Sequence, residues 1–448
     1  ANGTGSVSFS GGTTTFNAGS AYTQAATGAT TVSGVGTVVN FNISPTVGSF
    51  TQINGAVAGV TAGKTLTVRG NLDLTGGTFD NANLALAVTG TSNVSLGANA
   101  ITLTNATNDF GGAVTLSNSG TNNATIVDVS GLSLNTVSVG QNLTVSSGAE
   151  GISLSGTVAT GGTQTYNSAV NLGSAATLRA GPNLVTFNST VNGAQTLTIP
   201  DAGGANFTGA VGATTALTSV SVSGPTTLGD NVTTTGAQTY SKSIALNANA
   251  TLASTVSGNI ILNGATGAKT LNVNTAGATT LGGSYTNNSV TTDNPGTVVL
   301  NMAAGSGAAF NIGEPVISGT ASVTGTLNFP NAITLNGDTS LTATNVTFGN
   351  TVNSNAIGAP RALSITGPAS FANSVGGGNP LTSLSVTGAS TLGGNVTTTG
   401  AAGQTYNRGV TLAADVVLDA GAAVGAGASG LPAGLTAPAP RGACSTGS

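Results

Sequence analysis

Residues 217–252 read LTSVSVSGPTTLGDNVTTTGAQTYSKSIALNANATL, and residues 381–418 read LTSLSVTGASTLGGNVTTTGAAGQTYNRGVTLAADVVL. In both copies short apolar alternations, such as Val220 and Val222 or Ile244 and Leu246, are separated by Ser, Thr, Asn and Gly. Period two sends one set of side chains to a buried face and the hydroxyl and amide set to solvent, which is a strand pattern. The breaks between strands carry Gly and Asn-Gly steps (Asn54-Gly55, Asn192-Gly193, Asn263-Gly264, Asn336-Gly337), where a left-handed backbone is affordable. No stretch of ten or more residues in the first 420 has the 3.6-residue period of an amphipathic helix.

Upstream, VTFNSTVNG at 185–193 answers VTFGNTVNS at 346–354, and Tyr240 answers Tyr406. The offset is nearly constant along the copies, a duplication of roughly 165 residues. A shorter repeat lies inside it. Tyr166, Tyr240, Phe329 and Tyr406 each open an aromatic-x-x-x-[VI]-x-L phrase, and they recur at a spacing of about 80 residues. These four aromatics are expected to fill a repeated packing position, because aromatics at repeat spacing serve the repeat itself. Below that period, apolar markers such as Phe187, Phe207 and Leu228 recur about every twenty residues, as in the coils of a solenoid.

The expected fold is therefore all-β, a parallel (right-handed) β-helix solenoid with coils of about twenty residues, each coil burying Val, Leu and Ile against its neighbours. Stacked Asn and Thr can hydrogen-bond in ladders along the axis. At about 4.8 Å between strands, the first 420 residues would stack to on the order of 100 Å. The alternative is a tandem array of small β-sandwich repeats of about 80 residues. The organisation expected is an N-terminal region of divergent repeats (1–130), an aromatic-marked solenoid (131–420) and an Ala/Gly/Pro-rich tail (421–448) without alternation.

Composition narrows the function. Of 448 residues only 4% are charged, against about 25% in ordinary domains, while 69 are Gly, 39% are hydrophobic and the net charge is −4. Disorder needs low hydrophobicity and high charge together, so this chain is not of that class. The eight cations (Lys64, Arg69, Arg179, Lys242, Lys269, Arg361, Arg408, Arg441) stand singly, which excludes the basic patch that nucleic acid requires. No apolar run reaches the length of a membrane-spanning helix.

Histidine is absent, which removes Ser-His-Asp and Cys-His nucleophile systems and the commonest metal ligand. Cys444, the single cysteine, has no base to activate it. Carboxylates are the remaining route to chemistry, and a glycosidase needs two of them about 5 to 9.5 Å apart. Asp109 and Asp128, nineteen residues apart, are the best pair for adjacent coils, with Phe110 the aromatic beside them. Asp is equally a preferred turn residue, and surface or turn carboxylates are the expected reading. The tandem G-G-x-G-x-D needed for a calcium array is missing, and Gly425, Gly427 and Gly430 sit in low-complexity sequence without a following helix. No catalytic, cofactor-binding or metal-binding residue is assigned, and the chain is expected not to be an enzyme.

The phrases NVTTTGAQTY (231–240), NVTTTGAAGQTY (395–406) and TQTYNSAVNLGSAATL (163–178) resemble the repeats of large bacterial secreted surface proteins of the filamentous-haemagglutinin and autotransporter-passenger adhesin type. The likeness covers residues 130–420; residues 1–130 share only its style, and the N-P-N-G-type secretion motif of that family is not recognisable in residues 1–50. The resemblance implies an extracellular, cell-surface β-helical shaft used in adhesion, biofilm cohesion or fibre formation, without catalysis or cofactors. Self-association into a homopolymeric filament is the expected partnership, with a host or matrix glycan or surface as a possible target. The alternatives are a polysaccharide-binding or polysaccharide-degrading β-helix protein and a surface-layer protein.

Overall fold

The computed structural model describes residues 4–292, 296–302, 309–313, 316–356 and 358–421. Residues 422–448 of the Ala/Gly/Pro-rich tail, with Cys444, and the carboxylates Asp293 and Glu314 lie outside the described residues. Within them the regular structure is all β-strand, and no helix is long and apolar enough to cross a membrane. The strands pair in parallel with the strand one coil later, which is a β-solenoid. Sandwich repeats would require antiparallel ladders, so the tandem-sandwich alternative is excluded. Register partners set the coil length, which varies to either side of twenty: Phe310 faces Leu327 across a short coil, and Leu341 faces Ile365 across a long one.

The chain forms two compact units, Ala1–Pro225 and Thr226–Ser448. In the first, one ladder climbs through Val7–Phe9, Ala29–Val32, Ser49–Gln52, Leu72–Leu74, Ser92–Ser95 and Val114–Ser117. It continues through Gly131–Val139, Gly151–Thr160 and Val170–Arg179, so pairing runs past residue 130 without a break. Beyond that point two faces of a coil merge into strands of nine or ten residues, with the corner taken up as a register shift between Leu134 and Val137. In the second unit a ten-stranded parallel sheet runs from Val232–Thr234 to Val410–Leu412.

Alternation translates directly into burial. In Ser219–Val222, Val220 and Val222 are buried and the two serines are not. Repeating that pattern coil upon coil builds an aliphatic interior within each unit, and each fully buried Val, Leu or Ile contributes about 1.5–3 kcal/mol. Parallel stacking also brings like residues into contact. Tyr166, Phe187 and Phe207 stack with centroid separations of 5.2 and 5.1 Å, and Phe329, Phe348 and Phe371 repeat the stack at 4.9 and 5.0 Å. Strand spacing fixes those separations. The outward polar set forms ladders too: the Asn188 amide donates to Asn167 Oδ1 at 2.9 Å, and Asn167 donates to Ser146 Oγ at 2.9 Å.

The Asn-Gly steps divide into two kinds. Gly55, Gly193 and Gly264 have positive φ, but Gly337 does not, which corrects the expectation for that step. Asn263-Gly264 and Asn336-Gly337 do not end strands; they sit inside Ile260–Thr266 and Ile333–Thr342, next to register shifts at coil corners.

Candidate functional site

The sequence points first to Asp109 and Asp128, and stacking does bring them together. The two-residue strand Asp109–Phe110 pairs with Leu84–Val88 on one side, and its other edge meets the turn after Ala124–Val127. There the Asp128 carboxylate stands in for a backbone acceptor. Its Oδ2 accepts the Phe110 N–H at 2.7 Å, and its Oδ1 accepts the Ser130 N–H at 2.8 Å. The Ser130 hydroxyl lies 2.9 Å from Asp109 Oδ1 and 3.2 Å from Asp128 Oδ1, and its one proton bridges the coils. Asp128 is 2% exposed, whereas Asp109 faces solvent.

Buried amides extend this corner. Asn81 and Asn108 exchange amide hydrogen bonds at 2.9 and 2.8 Å, and Asn108 Oδ1 also accepts the Leu86 N–H. Asp128 and Asn108 thus pair backbone N–H groups at this corner that would otherwise be left buried and unpaired, at about 1–3 kcal/mol each. A nearby cleft of about 170 Å³ is lined by Gly131, Leu132, Ser133, Glu150, Gly151, Ser153 and Asn171, and it includes neither Asp109 nor Asp128. A general acid must reach the substrate proton it transfers, and Asp128 is held inward. Other carboxylates are also taken up by backbone: Asp338 Oδ1, inside a strand, accepts the Ala362 N–H of the next coil at 2.9 Å, and Asp419 Oδ1 accepts the Gly421 N–H at 2.9 Å. Among the described residues no group of three His, Cys, Asp or Glu could hold a metal ion.

The repeated aromatics lie in the interior. Tyr166, Tyr240 and Phe329 are fully buried, and Tyr406 is 8% exposed. The sequence reading overlooked the glutamine two residues before each tyrosine. Gln164 donates to Val158 O, Thr160 Oγ1 and Arg179 O, while its own oxygen accepts the Tyr166 hydroxyl at 3.0 Å. Gln238 repeats every contact, with Val232 O, Thr234 Oγ1, Ala253 O and the Tyr240 hydroxyl. The Q-T-Y triplet, present three times, was the available signal. An amide in the core ties the strand before it to the strand after it, and the tyrosine completes its hydrogen bonding. Burial pushes the Tyr166, Tyr240 and Tyr406 phenols well above the usual tyrosine value, since the anion would be desolvated.

A glycine column also escaped the sequence reading. Gly48, Gly70, Gly90 and Gly112 stack one per coil; a Cβ at Gly90 would lie 2.5 Å from Gly70 O, and one at Gly112 would lie 2.3 Å from Gly90 O. The corner backbones approach too closely for any side chain. The readable signal was a glycine returning at the coil period, once in each of four successive coils.

Comparison with known proteins adds one match. Residues 47–117 match a family of repeats of unknown function (DUF5649). The matched segment contains the glycine column and lies within residues 1–130, where the sequence reading found the least repetition. No curated protein and no solved structure matches the chain.

Proposed function

We propose that this β-solenoid repeat protein is a non-catalytic structural and adhesive shaft, exported to the cell surface or extracellular matrix and assembling end to end into a filament. The observation that carries the reading is the use of the interior polar groups: Asp128, Asn108, Gln164 and Gln238 are all taken up in closing coils. A chain built this way offers length and surface rather than a reaction centre. The resemblance of its Q-T-Y repeats to filamentous-haemagglutinin and autotransporter-passenger adhesins supports the same reading. So does the scarcity of charge, because low mutual repulsion favours association of like surfaces. An open strand edge at a coil end templates a further strand, and a translational contact propagates as a fibre.

Negative-stain electron microscopy of the purified protein at rising concentration tests the filament. Particles that lengthen are expected, and particles of one constant length would reject end-to-end assembly. Reducing-sugar release from neutral and acidic polysaccharides tests the absence of catalysis. Activity that disappears in Asp109→Asn or Asp128→Asn would replace this reading with a polysaccharide-degrading one.

A further inference from the structure

The ten-stranded sheet of the second unit carries an uncharged outward ladder. Starting at Thr251, register partners step to Asn272, Thr291, Asn311, Asn328 and Thr347 and on to Thr411, and all nine outward positions are Thr, Asn or Ser. All but the last, Thr411, lie between two buried neighbours in the strand, so the column stands on a packed interior. The adjoining outward column includes Thr270, Ser289 and Asn345, likewise neutral, with Lys269 beside its edge. Part of the ladder is already ordered: Asn328 donates to Asn311 Oδ1 at 2.8 Å, and Asn345 donates to Thr347 Oγ1 at 3.1 Å.

We infer that this face is a lateral docking surface for a second copy of the chain, the two ladders packing against each other about a twofold axis. Three arguments select that occupant. A copy has the same strand spacing, so hydroxyls and amides stay in register over all nine coils, whereas a polymer with a repeat even a tenth longer drifts by most of a step. Among the described residues the two columns carry no charge, so copies meet there without like-charge repulsion, and the columns give no electrostatic preference to a charged partner. The extent is also sufficient: eight steps of about 4.8 Å by two columns about 7 Å apart cover roughly 500 Å² per partner, on the order of 1,000 Å² in all, the lower bound for a specific interface.

The inference shares with the proposed function only the premise that the chain associates with itself; it concerns sideways pairing, not elongation. Sedimentation velocity of the wild-type chain is expected to show reversible dimerisation with a dissociation constant on the order of micromolar. The outward double variant Thr291→Lys/Thr347→Lys is expected to weaken it more than about a hundredfold, since like charges across an interface cost several kcal/mol. Mixing it with Thr291→Asp/Thr347→Asp is expected to restore a heterodimer. Thr144→Lys/Thr186→Lys, outward on the first unit, is expected to leave dimerisation unchanged, with circular dichroism verifying that each variant folds.

A wild type that stays monomeric overturns the inference, and so does one that is monomeric but co-pellets with an insoluble neutral polysaccharide. A lysine variant that pairs normally, or a control variant that fails equally, overturns it as well. Filament length in micrographs is read separately. Lysine variants that elongate but no longer pair sideways uphold both readings, and wild-type filaments that stay single reject only this one.

Discussion

Gln238 with Tyr240, and Gln404 with Tyr406, are two copies of one device in the second unit, and they differ by two residues. Thr234-Thr235-Gly236-Ala237-Gln238 becomes Thr398-Thr399-Gly400-Ala401-Ala402-Gly403-Gln404. The long-range contacts survive the insertion. Gln404 still donates to the carbonyl of the preceding strand, Val396 O, at 2.9 Å, and to Asp419 O in the following strand at 2.9 Å, just as Gln238 reaches Val232 O and Ala253 O. The local contact does not. Thr234 Oγ1 donates to Gly236 O at 2.6 Å and accepts from Gln238, whereas Thr398 Oγ1 is buried without a partner. The bonds that tie coil to coil define the motif, and the turn around them bends to keep them.

The largest expected effect comes from removing the rings. Tyr240→Ala opens a cavity at a fully buried site paired with Leu262 and is expected to cost about 4 kcal/mol, while Tyr406→Ala, at an incompletely covered site, costs about 2 kcal/mol. Chemical denaturation of the two variants measures the difference, and equal losses would show that the copies are energetically the same. The next effect is set by alkali. Tyr240 and Tyr406 each have a folded pKa above the unfolded value of about 10, so their stabilising contribution is complete below pH 10. Above that pH the unfolded chain releases the proton first, and stability falls by about 1.4 kcal/mol per pH unit per tyrosine up to the folded pKa. A denaturation series from pH 9 to 12 is expected to show decline from about pH 10, with tyrosinate absorbance appearing only as the fold is lost.

The smallest effect tests the insertion itself and carries opposite signs in the two copies. Thr234→Val breaks a satisfied hydroxyl and is expected to cost about 1 kcal/mol; Thr398→Val removes an orphaned one and is expected to gain up to about 1 kcal/mol. Melting temperatures moving in the same direction would refute the account of the insertion.

Much of the fold was legible in the sequence. Alternation at Val220 and Val222, and the spacing of Phe187 and Phe207, follow from the two-residue period of strands and the length of a coil, and the structure pairs those phenylalanines as register partners. The candidate carboxylates were legible as a pair, since their separation is about one coil; their use was not. Whether Asp128 faces solvent or closes a turn depends on where the Phe110 N–H points, and no spacing in the chain reports that.

Short-period patterning by itself determined an all-β chain of stacked coils, because hydrophobic burial depends on which residues recur, and recurrence is written in the chain. Tertiary stacking alone decided which polar groups the interior keeps and how close the glycine corners come. Hydrogen bonds and steric contacts are directional and reach only a few ångströms, so Gln164 finds Arg179 O, and Gly90 admits no side chain, only once one coil rests on another.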